Sequence, residues 1–283
     1  MRRRTRSSPK PAPSDKLAIA VYKDALSPAA KEVGRSLAGV VRVALSPANF
    51  AVWSFDRALE YAANRVGHVL ERRHVPTDRV IQPPVELTAS IVTQLRLQDQ
   101  AQGLRDLYIN LLATAMNRET ARDAHPSFVE IIRQLTPDEG RVINLFTGVE
   151  ATGSPRDFPL LNVVSHLREG GFEQVLARFT LLGTQAGCVA ELPTSSIDNL
   201  SRLGLIAIRH DQRVASAAAY EPLERHPTVR DAMELAASRP GARAEIQHGL
   251  VEVTDFGFRF ALACTGDISC IGLNPRDESR GSA

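Results

Sequence analysis

Phe55, Leu59, Ala62, Val66 and Val69 recur at intervals of four, three, four and three residues. That alternation draws one continuous apolar stripe along a helix, and a stripe of this length must be buried against other helices. The spacing predicts a long helix after Pro47 that frays in the charged run Glu71-Arg72-Arg73-His74. The segment "VPTDRVIQPP" then reads as a loop. Pro83 and Pro84 end any helix arriving from the N-terminal side, because proline lacks the donor and crowds the preceding turn.

Cap signals place further helices on both sides of this one. Ser14 precedes a segment carrying Leu17, Val21 and Tyr22, and Ser27-Pro28 and Ser46-Pro47 each set a capping hydroxyl before a proline at the first helical position. Between those two pairs lies the apolar segment "AAKEVGRSLAGVVRVAL". A second helical block begins near Val85. Leu104, Leu107, Tyr108, Leu111, Leu112 and Ala115 mark one face of the next helix, and Phe128, Val129, Ile131, Ile132 and Leu135 mark the one after. The expectation is a helical region over 17–135.

The grammar changes near residue 136. Thr136-Pro137-Asp138-Glu139 is a capping box with proline at the first position, followed by the apolar face Val142, Ile143, Leu145 and Phe146. Residues 148–160 read as a Gly/Ser/Pro-rich loop, with two further helical stretches after it and Gly170-Gly171 as a turn. In "TSSIDNLSRLGLIAIRH" a helix capped by Ser195 or Ser196 runs to Leu203, turns at Gly204 and enters a strand, Leu205 to Arg209. "GLVEVTDFGFRF" supplies a second strand, Leu250 to Val253, and a last helix with Phe256, Phe260 and Leu262. The intervening 210–249 reads as a long loop, helical in "PTVRDAMELAAS". This order predicts a mainly α chain: a helical N-terminal bundle, then a winged-helix-like domain over 136–265 with a small β-hairpin. A flexible tail is expected over 266–283.

Charge separates the ends from the body. Residues 1–16 hold Arg2, Arg3, Arg4, Arg6, Lys10 and Lys16 against Asp15, which is +5 of a chain total of +2 and leaves the rest at −3. A mildly acidic body argues against a broad nucleic-acid surface. The arm, with Pro9, Pro11 and Pro13, reads as disordered. It has no apolar core of the kind a secretory signal carries. Three cysteines, Cys188, Cys264 and Cys270, form no C-x-x-C pair, so a disulfide framework is not expected and a reducing cytoplasm fits.

The densest group of chemically able residues is His125, Glu130, Asp138 and Glu139. Each has a structural reading. His125 precedes a helix start at Pro126, Glu130 lies opposite the apolar stripe, and the two acids sit in a first turn where the dipole favours them. No H-E-x-x-H, phosphate loop or nucleophile elbow is present. His68, His74, His125, His166, His210, His226 and His248 show no ligand spacing. Cys188 and Cys264 stand in apolar contexts that favour inert thiols. No catalytic residue, metal site or cofactor is nominated, and the expectation is a chain that is not an enzyme.

"YKDALSPAAKEVGRSLAGVV", "LLATAMNRETARDAHPSFVEIIRQLTPDE", "IDNLSRLGLI" and "VTDFGFRFALAC" occur in this order. Together they resemble the abortive infection alpha family of bacterial and phage-related loci, over roughly residues 20–265. The resemblance implies a cytoplasmic protein linked to phage exclusion and brings no active-site residue. A protein partner, phage-derived or a second copy of the chain, is the expectation. Nucleic acid is a second partner class: Asn199 and Arg202 on the helix before the hairpin, Arg209 and Arg213 after it, and Arg2, Arg3, Arg4 and Arg6 on the arm are the residue types that meet phosphates and base edges. A membrane surface is a third. Leu37 to Phe55 is nineteen residues with one charge, Arg42, and offers Val40, Val41, Val43, Leu45, Phe50 and Trp53. Ser46-Pro47 interrupts that stretch, which favours two helices of a bundle.

Overall fold

The computed structural model describes residue 33 and residues 52–97, 102–148, 156–238 and 240–266. The helix expected after Pro47 is α1, Val52–Arg72. Its stripe is buried: Ala62, Val66 and Val69 all belong to the main core. α2 (Val85–Leu97) starts directly after the proline pair. α3 (Gln102–Met116) is the centre of the helical region, with Leu104 and every residue from Leu107 to Met116 buried. Helix α4 (Ser127–Arg133) and α5 (Pro137–Val142) follow.

The chain then forms an antiparallel pair, β1 (Asp157–His166) and β2 (Phe172–Phe179), joined through Gly170 and Gly171. Both glycines have positive φ, 94° and 84°, which the tight turn requires and a side chain would oppose. This corrects the expectation of two helical stretches here. β1 is covered on both faces, so its side chains read as a nearly unbroken apolar run instead of an alternation. Pro159 is tolerated within β1. It lies ahead of Leu161, where pairing with β2 begins, so one side of the strand needs no ladder donor there.

Next come α6 (Leu182–Gln185), α7 (Thr194–Arg202) and β3 (Ile206–Arg209). The turn glycine between α7 and β3, Gly204, has φ +74°. α7 begins one residue before the expected serine caps and has no side-chain cap. Thr194 instead donates its hydroxyl to the Ala177 carbonyl of β2, 3.0 Å away. Two short helices, α8 (Glu221–Glu224) and α9 (Pro227–Ala237), interrupt the long loop. β4 (Arg243–Val253) starts seven residues before the expected Leu250, and α10 (Asp255–Thr265) closes the described chain. The expected small hairpin, β3 with β4, is therefore one side of a four-stranded antiparallel sheet of order β2-β1-β4-β3.

The sheet divides two cores. Phe158 and Leu160 of β1 and Val251 and Val253 of β4 join a single cluster with the helices, including Tyr108, Ile132, Leu200 and Phe260. Leu161 and Val163 point the other way and pack with Phe179, Leu223, Val229, Ala232 and Ala236 beneath α8 and α9. Ser165 anchors α9 by donating to the Ala236 carbonyl at 2.7 Å. One continuous core thus joins residues before and after position 136.

Candidate partner-binding surface

The His125–Glu139 block serves local structure. His125 Nδ1 accepts from the backbone of Ser127, the first residue of α4, at 3.1 Å, and the cap position itself is Pro126. Glu130 pairs with Arg133 and Asp138 with Arg141, both at 2.8 Å and exposed. Glu139 closes the expected capping box: its Oε2 accepts from the Thr136 backbone at 2.8 Å while Thr136 accepts from the Glu139 backbone at 3.2 Å. Its side chain is buried, which the sequence did not indicate.

α7 is drawn into the same corner. Asn199 donates to Glu139 Oε2 at 2.9 Å and to the Gln134 carbonyl at 3.0 Å. Arg202 donates to Gln134 Oε1 at 3.0 Å and to Asn199 Oδ1 at 2.7 Å. The structure brings these two nucleic-acid candidates together: the Asn199 amide and one Arg202 nitrogen are engaged at the α4–α5 corner, while Arg202 stays exposed. Arg209 pairs with Glu252 at 2.8 Å, and Arg213 is exposed beyond the end of β3. Arg2, Arg3, Arg4 and Arg6 lie outside the described residues, as do Val40, Val41, Val43, Leu45 and Phe50. Trp53 falls in the first turn of α1. Among the described residues no helix is long and apolar enough to cross a membrane. No group of three or more His, Cys, Asp and Glu among them is arranged to hold a metal ion.

A second polar cluster sits at the end of β2. Asn162, buried in β1, accepts at Oδ1 from the Arg178 backbone at 2.8 Å and from Gln174 at 3.1 Å, and its amide faces His210 Nδ1 at 3.4 Å. The bond to Arg178 holds a residue in the left-handed region, φ +53°, that a non-glycine residue seldom adopts. The side chain of Arg178 consequently leaves the sheet and pairs with Asp198 of α7 at 3.0 Å.

This kink opens one wall of a groove of about 470 Å³. β2 forms that wall with Leu176 and Phe179, the 189–194 segment forms another, and His226 at the start of α9 closes the end. His226 is fixed there: it caps α9 by accepting from Thr228 N at 3.3 Å, and its ring packs on Phe179 with centroids 4.9 Å apart. Glu191 is oriented by Thr184, whose backbone and hydroxyl both donate to it. Val189 is 101% exposed at the lip. An apolar floor with a few oriented polar groups is the composition of a binding groove. β2 is one edge of the sheet, and among the described residues no strand pairs with its outer side. The sequence reading did not find this groove. Its one sequence-level sign is an unsupported apolar residue, Val189, in a loop between a glycine and a proline.

The two cysteines within the described residues are both buried. Burial raises the pKa of Cys188, assisted by the Asp138 carboxylate, and burial holds the Cys264 thiol well above its ordinary value. Neither supplies a thiolate at neutral pH.

A family model described as abortive infection alpha matches residues 54–264 of the chain. No curated protein matches. Among solved structures, an uncharacterized protein from the hydrocarbon-degrading marine bacterium Alcanivorax borkumensis SK2 is 21% identical, over 49% of this chain and 92% of that one, with a TM-score of 0.34.

Proposed function

The chain belongs to the abortive infection alpha family, and from that premise we propose that it is a phage-defence protein of the bacterial cytoplasm that acts by binding a protein partner and not by catalysis. The groove beside β2 carries this reading. It combines an apolar floor, polar groups already oriented by internal hydrogen bonds, and a fully exposed valine at its lip. An exposed apolar side chain beside a preformed groove gains on being covered, about 1.5–3 kcal/mol for complete burial of a valine. The polar residues elsewhere that resemble chemical machinery are spent on caps and ion pairs, which favours binding over turnover.

Val189→Asp tests the proposal. The side chain touches nothing that holds the fold, so the melting temperature should stay at the wild-type value. Protection of a bacterial host against a phage that the wild-type protein excludes should be lost. Unchanged protection by a stably folded Val189→Asp protein would sink the groove reading. Turnover by the purified protein, abolished by one point substitution, would sink the non-enzymatic one.

Two alternatives make different demands. A winged-helix reading uses α7 as the helix that enters DNA and draws on the exposed Arg202, Arg209 and Arg213. It expects Arg209→Ala to lower DNA affinity and flatten its salt dependence. A membrane reading rests on residues 28–55 and expects Arg42→Glu to release the protein from the membrane fraction.

A further inference from the structure

The two ends of β2 are built differently, and each offers what the other lacks. At its start Phe172 follows the Gly170-Gly171 turn and stands 67% exposed, with Glu173 and Gln174 exposed after it. At its far end lies the groove, with Leu176 and Phe179 in one wall and Val189 at the lip. One end presents a large apolar side chain in water, and the other a space lined by apolar residues.

The charges divide in the same way. Arg168 is exposed at the hairpin tip and makes no ion pair among the described residues. Glu191 in the groove wall is held by Thr184 and makes none either. Glu169 is the acid beside Arg168 at the tip, and His226 at the groove's end is the group able to answer it. Arg178 and His166, the other cationic groups near the strand, already face Asp198 and Glu245. Within one chain Arg168 and Glu191 are separated by most of the length of β2, roughly 20 Å of extended backbone, and do not meet.

We propose that the partner seated in this groove is a second copy of the chain, joined by antiparallel pairing of the two β2 edges, an assignment that rests on the groove being a partner site. Antiparallel pairing sets the start of each strand against the end of the other, and a two-fold axis makes both exchanges at once. With the axis at Gln174, Phe172 of each copy lies opposite Leu176 of the other, at the mouth of its groove. The Gly170-Gly171 tip has no side chains, so it is slim enough to follow Phe172 in, and it carries Arg168 to Glu191. The ladder ends before Ala177, whose carbonyl already accepts from Thr194. β2 contains no proline or lysine, the residues that commonly block pairing at an edge. Two phenylalanines at this exposure and two fully exposed valines come to roughly 500 Å² of apolar surface. The strand edges and groove walls of both copies extend this toward the roughly 1,000 Å² that a specific interface needs.

Sedimentation velocity of the full-length protein across the micromolar range is the test. A dimer is expected. Phe172→Asp should weaken it at least tenfold and leave the far-ultraviolet circular dichroism unchanged, since Phe172 is exposed in the single chain. Arg168→Glu and Glu191→Arg should each weaken it similarly, because either sets like charges together twice per dimer. Mixed in equal amounts, these two charge variants should form a dimer that neither forms alone, since each offers at both contacts the charge that the other lacks. A wild-type protein that stays monomeric overturns the proposal. So does a dimer indifferent to Phe172→Asp and to both charge reversals. Neither result touches the groove as a partner site, which stands or falls on protection by Val189→Asp.

Discussion

Asn199 of α7 donates to Glu139 of α5 across 60 residues of sequence, at 2.9 Å, and the oxygen that accepts it also accepts the Thr136 backbone N–H. One buried carboxylate oxygen thus caps one helix and positions another. Glu139→Ala strands both donors and removes the cap. With about 1–3 kcal/mol for each buried group left unsatisfied, the expected loss is about 2–4 kcal/mol. Glu139→Gln keeps an acceptor oxygen and should cost about 1 kcal/mol. Urea titrations of the two variants check the difference. Equal losses would show that the carboxylate is not shared in this way.

Gly257 and Gly103 are opposite cases of glycine in a helix. A Cβ on Gly257 would lie 1.9 Å from the Leu205 carbonyl oxygen, with two more Leu205 backbone atoms within 2.9 Å. Backbone cannot swing aside as a side chain can. Gly257→Ala should therefore cost about 3 kcal/mol or more, by displacing α10 from the turn into β3. Gly103→Ala meets nothing within 4 Å and should stabilise α3 by about 0.5–1 kcal/mol. Thermal melts of both proteins should move in opposite directions.

Thr114 ties the last helix to the centre of the helical region. Its hydroxyl donates to the Ala263 carbonyl at 2.8 Å and accepts from Arg73 at 3.0 Å. Thr114→Val keeps the shape but leaves both partners without that bond, a cost of about 1–3 kcal/mol. The loss should fall on α10 first. Amide hydrogen exchange should accelerate in residues 260–265 before it does in α3. Uniform acceleration across the protein would contradict a local tie.

Burial keeps the Cys264 thiol above its ordinary 9.0 and the Tyr108 hydroxyl above its ordinary 10.0, the latter with help from the nearby Glu130. The unfolded chain, without that burial, releases these protons at lower pH than the folded one. Between the two values the unfolded state binds fewer protons, so stability falls as pH rises. It should be whole below pH 9 and decline above it. Cys264→Ala costs some stability at neutral pH through the lost sulfur. It should also lessen the decline just above pH 9, to which the raised Cys188 thiol contributes as well, before Tyr108 does. Denaturant midpoints measured from pH 7 to 11 give both slopes.

Local signals were enough to locate several elements. α1 was legible because Ala62, Val66 and Val69 lie on one face of a helix buried on one side. The start of α5 was legible because Thr136, Pro137 and Glu139 satisfy their own first turn, whatever packs above. β3 was legible because Gly204 ends α7 with a positive φ. None of these required knowledge of a distant residue. β1 and β2 were misread for the opposite reason. Phe158, Leu160, Leu161 and Val163 are buried on alternate faces by two different sets of helices, so no period distinguishes the strand. The early start of β4 was hidden as well. Arg243 to Gly249 is a strand because β1 runs beside it, and its own residues carry no strong strand preference.

What the sequence determined by itself is the run of helices from Val52 to Val142, the capping box at Thr136, the turn at Gly204, the absence of a recognisable catalytic motif, and the family. Each depends on residues within a few positions of one another, or on a colinear set of short motifs. The tertiary structure decided the four-stranded sheet and the commitment of Asn199 and Arg202 to the α4–α5 corner. It also decided the groove beside Val189. Each of these joins side chains tens of residues apart, and whether a polar atom is spent or available is set by what packs against it. A sequence states which groups exist, and only the fold states which of them are already satisfied.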